Sequence, residues 1–400
     1  MKKTMEVKTK IESFARIKVL GVGGGGTNAV NRMTELGIRG VEFVAINTDA
    51  QALHNNAADK KVHIGKSITK GLGSGMNPDI GRQAAEESQE EIEEVISNAD
   101  MVFITCGLGG GTGTGAAPIV AELAKNRGIL TVAVVTKPFN FEGNKRKEIA
   151  EMGYANLKDK VDAIISIHND RILQIIDKKT SLVDAFSTVD DILRQGIAGI
   201  SDLITSHGVV NADFADVRSI MQDAGTALMG IGRASGENRA AEAARMAVNS
   251  PLLELSIDGA QGVLFNITGG SSLGMFEIDE AAKAITKSID PDARVKFGAV
   301  IDEEMGDEVR ITVIATGFDE TNRKPVTAPQ PAQPEERRIF TAHTPQAPVA
   351  PQQPPVAVEP SAQPRRPQFT PISEASAPAQ SASGSDDELD IPAFIRRKIK

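Results

Sequence analysis

Apolar and polar positions follow two rhythms along the chain. Short apolar, β-branched runs stand at 17–22, 41–47, 61–64, 101–105, 129–136 and 161–167. Helix-like stretches separate them, at 27–36, 78–97, 116–126 and 144–158. Short, apolar, β-branched runs suit strands covered on both faces. Strand–helix alternation then predicts a parallel sheet between two helical layers.

The second rhythm is helical. Leu182, Phe186, Val189, Leu193, Ile197, Ile200 and Ile204 step by three or four, which is a one-sided stripe at helical period. The stripe predicts a helix over 182–206, about 37 Å long at 1.5 Å per residue. Gly196 and Gly199 lie inside it and weaken it, so tertiary packing must hold it. Beyond residue 210 the pattern predicts helices over 217–229 and 239–249. Strands at 262–268, 294–300 and 308–316 follow, with a helix at 278–288 between them. This is a smaller α+β domain.

After residue 320 neither period survives. Residues 320–385 hold 14 of the 20 prolines, mixed with Ala, Gln, Ser and Thr. Such a stretch cannot bury enough surface to offset its ordering entropy and reads as a disordered linker. Residues 386–400 are acidic, then apolar, then basic. Asp390 is a candidate N-cap for a short helix with Ile391, Phe394 and Ile395 on one side, a pattern suited to docking on a partner. The expected organisation is a flexible segment (1–14), a Rossmann-like domain (15–181), a central helix (182–207), an α+β domain (208–319), the linker and the tail.

Composition removes several function classes. Lys and Arg number 44 against 53 Asp and Glu, a net charge of −9, which argues against a nucleic-acid-coating protein. The single cysteine, Cys106, excludes an internal disulfide or a multi-cysteine zinc site. No apolar run is long enough to span a bilayer, and no apolar segment follows the basic start. A cytoplasmic protein is expected.

The glycines carry the candidate chemistry. The first strand runs into Gly21-Val-Gly-Gly-Gly-Gly26-Thr27-Asn28. Glycines there let backbone N–H groups approach a ligand, and a following helix start favours an anion. The letters also fit GxGxxG at Gly21, Gly23 and Gly26, with Asp49 23 positions further on, so an NAD-binding Rossmann oxidoreductase competes. A second cluster changes the balance. After the strand at 101–105, every residue from Gly109 to Gly115 is Gly or Thr. Its N–H groups can wrap a phosphate, and Thr112 and Thr114 add hydroxyl donors. Two such loops at the carboxyl edge of one sheet suit a nucleotide with several phosphates. Gly71-Leu-Gly-Ser-Gly75 is a third candidate, able to close over the terminal phosphate. There is no GxxxxGK[ST], so a P-loop is excluded.

Gly109-Gly-Gly-Thr-Gly-Thr-Gly115 resembles the signature of the tubulin/FtsZ GTPases. Asn47–Leu53, 69–75, 136–143, 169–173, 211–217 and 389–395 are similar to segments of bacterial FtsZ. The resemblance runs from about 15 to 318 and resumes at 386–397. It implies a GTPase that polymerises head to tail into the cytokinetic ring at midcell, with magnesium accompanying GTP or GDP. It also implies site roles. Gly24, Gly25, Gly26, Thr27 and Asn28 would form the first phosphate loop, with Thr27 acting through its backbone. Gly109, Gly110, Gly111, Thr112, Gly113 and Thr114 would form the second, with Gly73 and Ser74 beside it. Glu142 and Arg146 would contact ribose and phosphate, and Asn169, Phe186 and Asp190 would hold guanine. Asp213 and Asp216, assisted by Asn211, would act on GTP bound by the next subunit. The tail would bind membrane-tethering and regulatory division proteins, with membrane contact indirect or weak. A non-catalytic GTP-binding scaffold is the third alternative, which the intact Asp213 and Asp216 argue against.

Overall fold

The computed structural model describes residues 15–318 apart from 39, 178, 206–209, 211 and 254–255. The expectations for the linker and tail therefore lie outside the described residues. The chain opens with β1 (Ile17–Val22), α1 (Gly23–Glu35), β2 (Val41–Asn47), α2 (Ala50–His54), β3 (Lys60–His63) and the short α3 (Lys66–Thr69). Next come α4 (Pro78–Glu87), α5 (Gln89–Ile96), β4 (Met101–Gly107), α6 (Thr112–Asn126), β5 (Leu130–Lys137), α7 (Asn144–Lys158), β6 (Ala163–His168) and α8 (Asn169–Ile172). The long α9 (Leu182–Thr205) leads to α10 (Phe214–Met221), β7 (Gly225–Ser235) and α11 (Arg239–Val248). The described part ends with β8 (Gly262–Gly269), α12 (Met275–Thr286), β9 (Arg294–Ile301) and β10 (Glu308–Thr316).

The strands form one sheet in the order β3-β2-β1-β4-β5-β6-β7-β10-β8-β9. From β3 to β6 all neighbours are parallel. β7 joins β6 over only three residue pairs, Ala163–Ile165 against Gly225–Ala227, and then pairs antiparallel with β10. Side-chain alternation divides the core between the faces. Val19, Phe43, Met101 and Val132 pack with α1 and α9 on one face. Leu20, Val44, Val102 and Ile104 pack with α4, α5 and α6 on the other. A third cluster lies under α11 and α12, around Phe265 and Val313.

Three expectations are corrected. The helix expected over 78–97 is two helices, broken at Ser88 (φ −111°, ψ 30°), whose hydroxyl accepts a hydrogen bond from Gly65 N at 3.2 Å. The helix expected over 217–229 stops at Met221, and its last residues belong to β7, a strand absent from the sequence expectation. Strand β7 carries Gly230 and Gly232, whose added Cβ atoms would stand 1.9 Å from Ala247 O and Ala243 O of α11. Its glycines are there for close helix packing, which obscures its strand character. Finally, α1 and α6 begin inside the glycine runs, at Gly23 and Thr112, instead of after them.

Helix α9 is the expected central helix. Its glycines are seats for neighbours: Gly196 faces the Met229 sulfur and Gly199 faces the Thr312 methyl, each closer than a Cβ would allow. Packing therefore supplies what propensity lacks.

Candidate functional site

The strand order reverses direction between β1 and β4. At this switch point in an open parallel sheet, the loops at the carboxyl ends diverge and leave a crevice. The two glycine runs leave from these two strand ends. Because α1 and α6 start within them, the runs supply first-turn N–H groups that have no partner in their own helix, together with two helix N-termini. The helix starts touch: a Cβ on Gly23 would stand 2.6 Å from Gly113 N. Gly24 has nothing within 4 Å of such a Cβ, and Gly110 only Gly107 O at 4.0 Å, so both border open space. Gly25, Gly26 and Gly111 instead serve close packing, against Gly107 N, Thr105 O and Ser74 Oγ respectively.

The threonine hydroxyls do not reach into that space as expected. Thr112 Oγ1 lies 2.6 Å from Thr48 Oγ1 and 2.9 Å from Ser74 Oγ. All three residues are buried. Thr114 Oγ1 accepts from Gly109 N at 2.9 Å, and Thr27 Oγ1 donates to Gly23 O at 2.9 Å. The hydroxyls tie the loops together, so an anion in that space would meet backbone N–H groups. The 71–75 segment follows α3. Gly73 is open to substitution in space but holds φ +83°, while Ser74 is the tie to Thr112.

Beside the helix starts lies a cavity of about 330 Å³. Gly25, Asn28, Glu142, Arg146, Asn169, Phe186 and Asp190 all line it. Glu142 accepts from Phe139 N at 2.9 Å and pairs with Arg146 Nη1 at 3.1 Å, so its carboxylate is already oriented. Arg146 Nε and Asn169 Oδ1 are buried without a protein partner. Such groups are costly unless a ligand or water satisfies them. The Phe186 ring meets Phe139 edge-on at 5.6 Å, and Phe139 stacks on Phe141 at 4.9 Å. Burial pushes the Asp190 carboxyl up to about 6, and the Arg32 guanidinium only partly offsets this. A flat heterocycle with N–H donors meets every need of this end: stacking on Phe186, acceptance by Asp190 and a partner for Asn169.

Several contributors escaped the sequence reading. Thr48 lies in the 47–53 segment that carries the resemblance but had no role assigned to it, and Arg32 belongs to the solvent-ward pattern of α1. Cys106, which carried no assigned role, lines the cavity wall. Burial pushes its thiol up to about 12, which keeps it inert. Asp49 would bind ribose in the dinucleotide alternative. Instead its carboxylate caps α2, accepting from Gln51 N and Ala52 N at 2.9 and 3.0 Å.

The acidic loop lies at the other end of the sheet. Arg218 of α10 donates to Gly128 O at 2.8 Å, in the turn that precedes β5. Gly225 N donates to Asp162 O at 2.9 Å, just ahead of β6. Helix α10 thus sits at the amino edge, while the glycine runs sit at the carboxyl edge. Eight residues of β5, about 26 Å at 3.3 Å per residue, separate the two. Asp213 occupies the N-cap position of α10 but makes no side-chain cap bond, and Asp216 pairs with Lys296 at 3.0 Å. Asn211 lies outside the described residues.

The Tubulin/FtsZ family GTPase domain matches residues 16–177, and the FtsZ family C-terminal domain matches 225–319. The empty FtsZ dimer of M. jannaschii is 45% identical with a TM-score of 0.75, over 81% of this chain and 96% of that one. The chain belongs to the tubulin/FtsZ family. A tryptophan-to-tyrosine mutant of M. jannaschii FtsZ gives 46% identity and a TM-score of 0.74, over 78% and 96%. CetZ2 from Haloferax volcanii, in a GTPγS-bound protofilament, shares the fold at 20% identity and a TM-score of 0.64, over 76% and 94%. The tubulin/FtsZ family consists of GTPases, and its GTPase domain here contains both glycine runs. Family membership decides against the NAD alternative. Among the described residues, no helix is long and apolar enough to cross a membrane.

Proposed function

We propose that the protein is a self-assembling GTPase whose subunits join head to tail into protofilaments of a division ring. GTP occupies the 330 Å³ cavity, with guanine toward Phe186, Asn169 and Asp190. Its phosphates lie on the N–H groups of the α1 and α6 starts. Asp213 and Asp216 of the adjoining subunit, with Asn211, orient the water that attacks the γ-phosphate. The bond from γ-phosphorus to the β–γ bridging oxygen breaks, leaving GDP and phosphate. The water's proton passes toward the carboxylates. An oriented acceptor serves this reaction better than a strong base.

One observation carries the proposal. The nucleotide cavity and the acidic loop sit at opposite edges of one sheet, near opposite ends of α9. No subunit can bring its own loop to its own nucleotide across roughly 26 Å. Two complementary half-sites on opposite ends define a heterologous contact, which propagates into open filaments. Self-association agrees with the dimeric state of the M. jannaschii relative.

Magnesium fits as an ion borne by the nucleotide. Among the described residues no three His, Cys, Asp or Glu side chains form a metal cage. Magnesium characteristically keeps phosphate oxygens and water as most of its ligands. It would supply charge neutralisation at the phosphates, where this chain offers N–H groups.

The domain roles follow: residues 15–181 bind nucleotide, 182–207 join the halves, and 208–319 carry the activating loop. The segment 320–385 would present 386–400 to membrane-tethering and regulatory division proteins at midcell. Sedimentation with GTP, GDP or NAD, paired with phosphate release across protein concentrations, tests the function. GTP-specific polymer and turnover that rise together above a threshold concentration are expected. Turnover strictly proportional to concentration, with no polymer, removes the proposal.

A further inference from the structure

Val210 and Asp216, on either side of Asp213, are both held by a single strand. Ala299 N of β9 donates to Val210 O at 3.0 Å, and Val210 N returns to Ala299 O at 3.5 Å. Three residues earlier on β9, Lys296 Nζ lies 3.0 Å from Asp216 Oδ1. Strand β9 is the last of the sheet, so its outer edge is available to hold this segment. Gly298, between the two clamps, leaves room for both Val210 and Leu203, whose atoms would stand 3.3 and 2.2 Å from an added Cβ.

The backbone at Asp216 does not need Lys296. Asp216 N already donates to Asp213 O at 2.9 Å, and Asp216 O accepts from Ser219 Oγ at 2.8 Å. Val217 is fully buried, and Arg218 anchors the same helix to Gly128. What remains unfixed is the Asp216 carboxylate itself, and the Lys296 ammonium meets one of its two oxygens. We propose that Lys296 is a positioning residue for hydrolysis: it holds Oδ1 of Asp216 and leaves the second oxygen to orient the attacking water. The proposal rests on the assignment of Asp216 to the neighbouring subunit's GTP. Lysine also offsets negative charge at a surface that must approach a nucleotide triphosphate.

The pair is half exposed, with 46% and 35% of the two side chains accessible, so its effect is modest. Pairs of this kind correspond to about a two- to fivefold change, and misorientation of a reacting group is felt in turnover more than in binding. The test uses the full chain with GTP and compares wild type, Lys296→Met, Lys296→Arg and Asp216→Ala. Turnover per polymerised subunit, the threshold concentration for assembly and GTP affinity of the free subunit are measured for each. Lys296→Met is expected to lose about two- to fivefold in turnover, with threshold and affinity unchanged, and Lys296→Arg to recover it. Wild-type turnover in Lys296→Met, or a loss that tracks a raised threshold and is not rescued by arginine, overturns the proposal. Wild-type turnover in Asp216→Ala instead overturns the assignment beneath it.

Discussion

The hydroxyls of Thr48 and Thr112 lie 2.6 Å apart, both buried, where the end of β2 meets the start of α6. Ser74 joins them at 2.9 Å from Thr112. Three loops are thereby fixed relative to one another around one hydroxyl. Thr48→Val removes one of the two partners of the buried Thr112 hydroxyl, at a cost of about 1 kcal/mol. Thermal unfolding should show that loss, and GTP affinity should fall with it, since the N–H groups of the 109–115 run depend on this register. Unchanged affinity would show that the loops hold their places by glycine packing alone.

If guanine meets Asp190 as proposed, nucleotide binding should be sensitive to pH. Its carboxyl titrates at about 6 in the free protein because it is buried. A raised carboxyl favours the folded state at low pH, and that contribution disappears as pH rises from about 4 to 6. Guanine donors need the ionised form, so binding requires proton loss below pH 6. GTP and GDP affinity should fall about tenfold between pH 7 and pH 5, and Asp190→Asn should flatten the profile. Calorimetric titration across that range checks both.

Two glycines separate folding from binding. A Cβ at Gly115 would stand 1.9 Å from Pro78 O, whereas one at Gly24 meets nothing within 4 Å. Gly115→Ala should destabilise the fold by several kcal/mol, because backbone cannot retreat as a side chain can. Gly24→Ala should unfold at the wild-type temperature and bind GTP more weakly, since its methyl would occupy the open space proposed for phosphate. Paired unfolding and binding curves for the two variants test this contrast.

The half built from β7–β10 has its own buried ion pair. Arg239 Nε and Nη2 donate to the two oxygens of Glu277 at 2.7 and 3.1 Å, and Nη1 donates to Asp307 O at 3.0 Å. The Arg239 guanidinium holds the Glu277 carboxyl below its ordinary value despite partial burial. A lowered carboxyl stabilises the fold above about pH 4.5, and that contribution is lost as pH falls further. Arg239→Met should cost about 3 kcal/mol at pH 7 and distinctly less at pH 3, in denaturant unfolding at each pH.

Legibility in the sequence followed the physics of each element. Strands with buried faces announced themselves: β1, β2 and β10 fall at the expected residues because each is mostly apolar and β-branched, despite Lys18, Glu42 and Arg310. β7 was hidden, since Gly230 and Gly232 serve α11 and dilute its strand pattern. The glycine runs declared an anion site, but not that helices start within them. Propensity disfavours such starts, and close packing such as that of Gly23 on Gly113 and Gly26 on Thr105 supports them. Phe186 fits the apolar stripe of α9 by period, yet it is 42% exposed and borders the cavity. No local signal tells a core phenylalanine from one awaiting a base. Lys296 and Asp216 are 80 residues apart in sequence, and only strand order brings them together.

Mixing two deficient variants tests the divided site most directly. Asp216→Ala keeps the nucleotide cavity, and Asp190→Ala keeps the acidic loop. At a GTP concentration too low to fill the Asp190→Ala cavity, each alone should release little phosphate. In a one-to-one copolymer, verified by sedimentation, random junctions pair an intact cavity with an intact loop about a quarter of the time. Recovery of about a quarter of the wild-type turnover is the predicted result. Copolymers that sediment without regaining turnover would contradict a site shared between subunits.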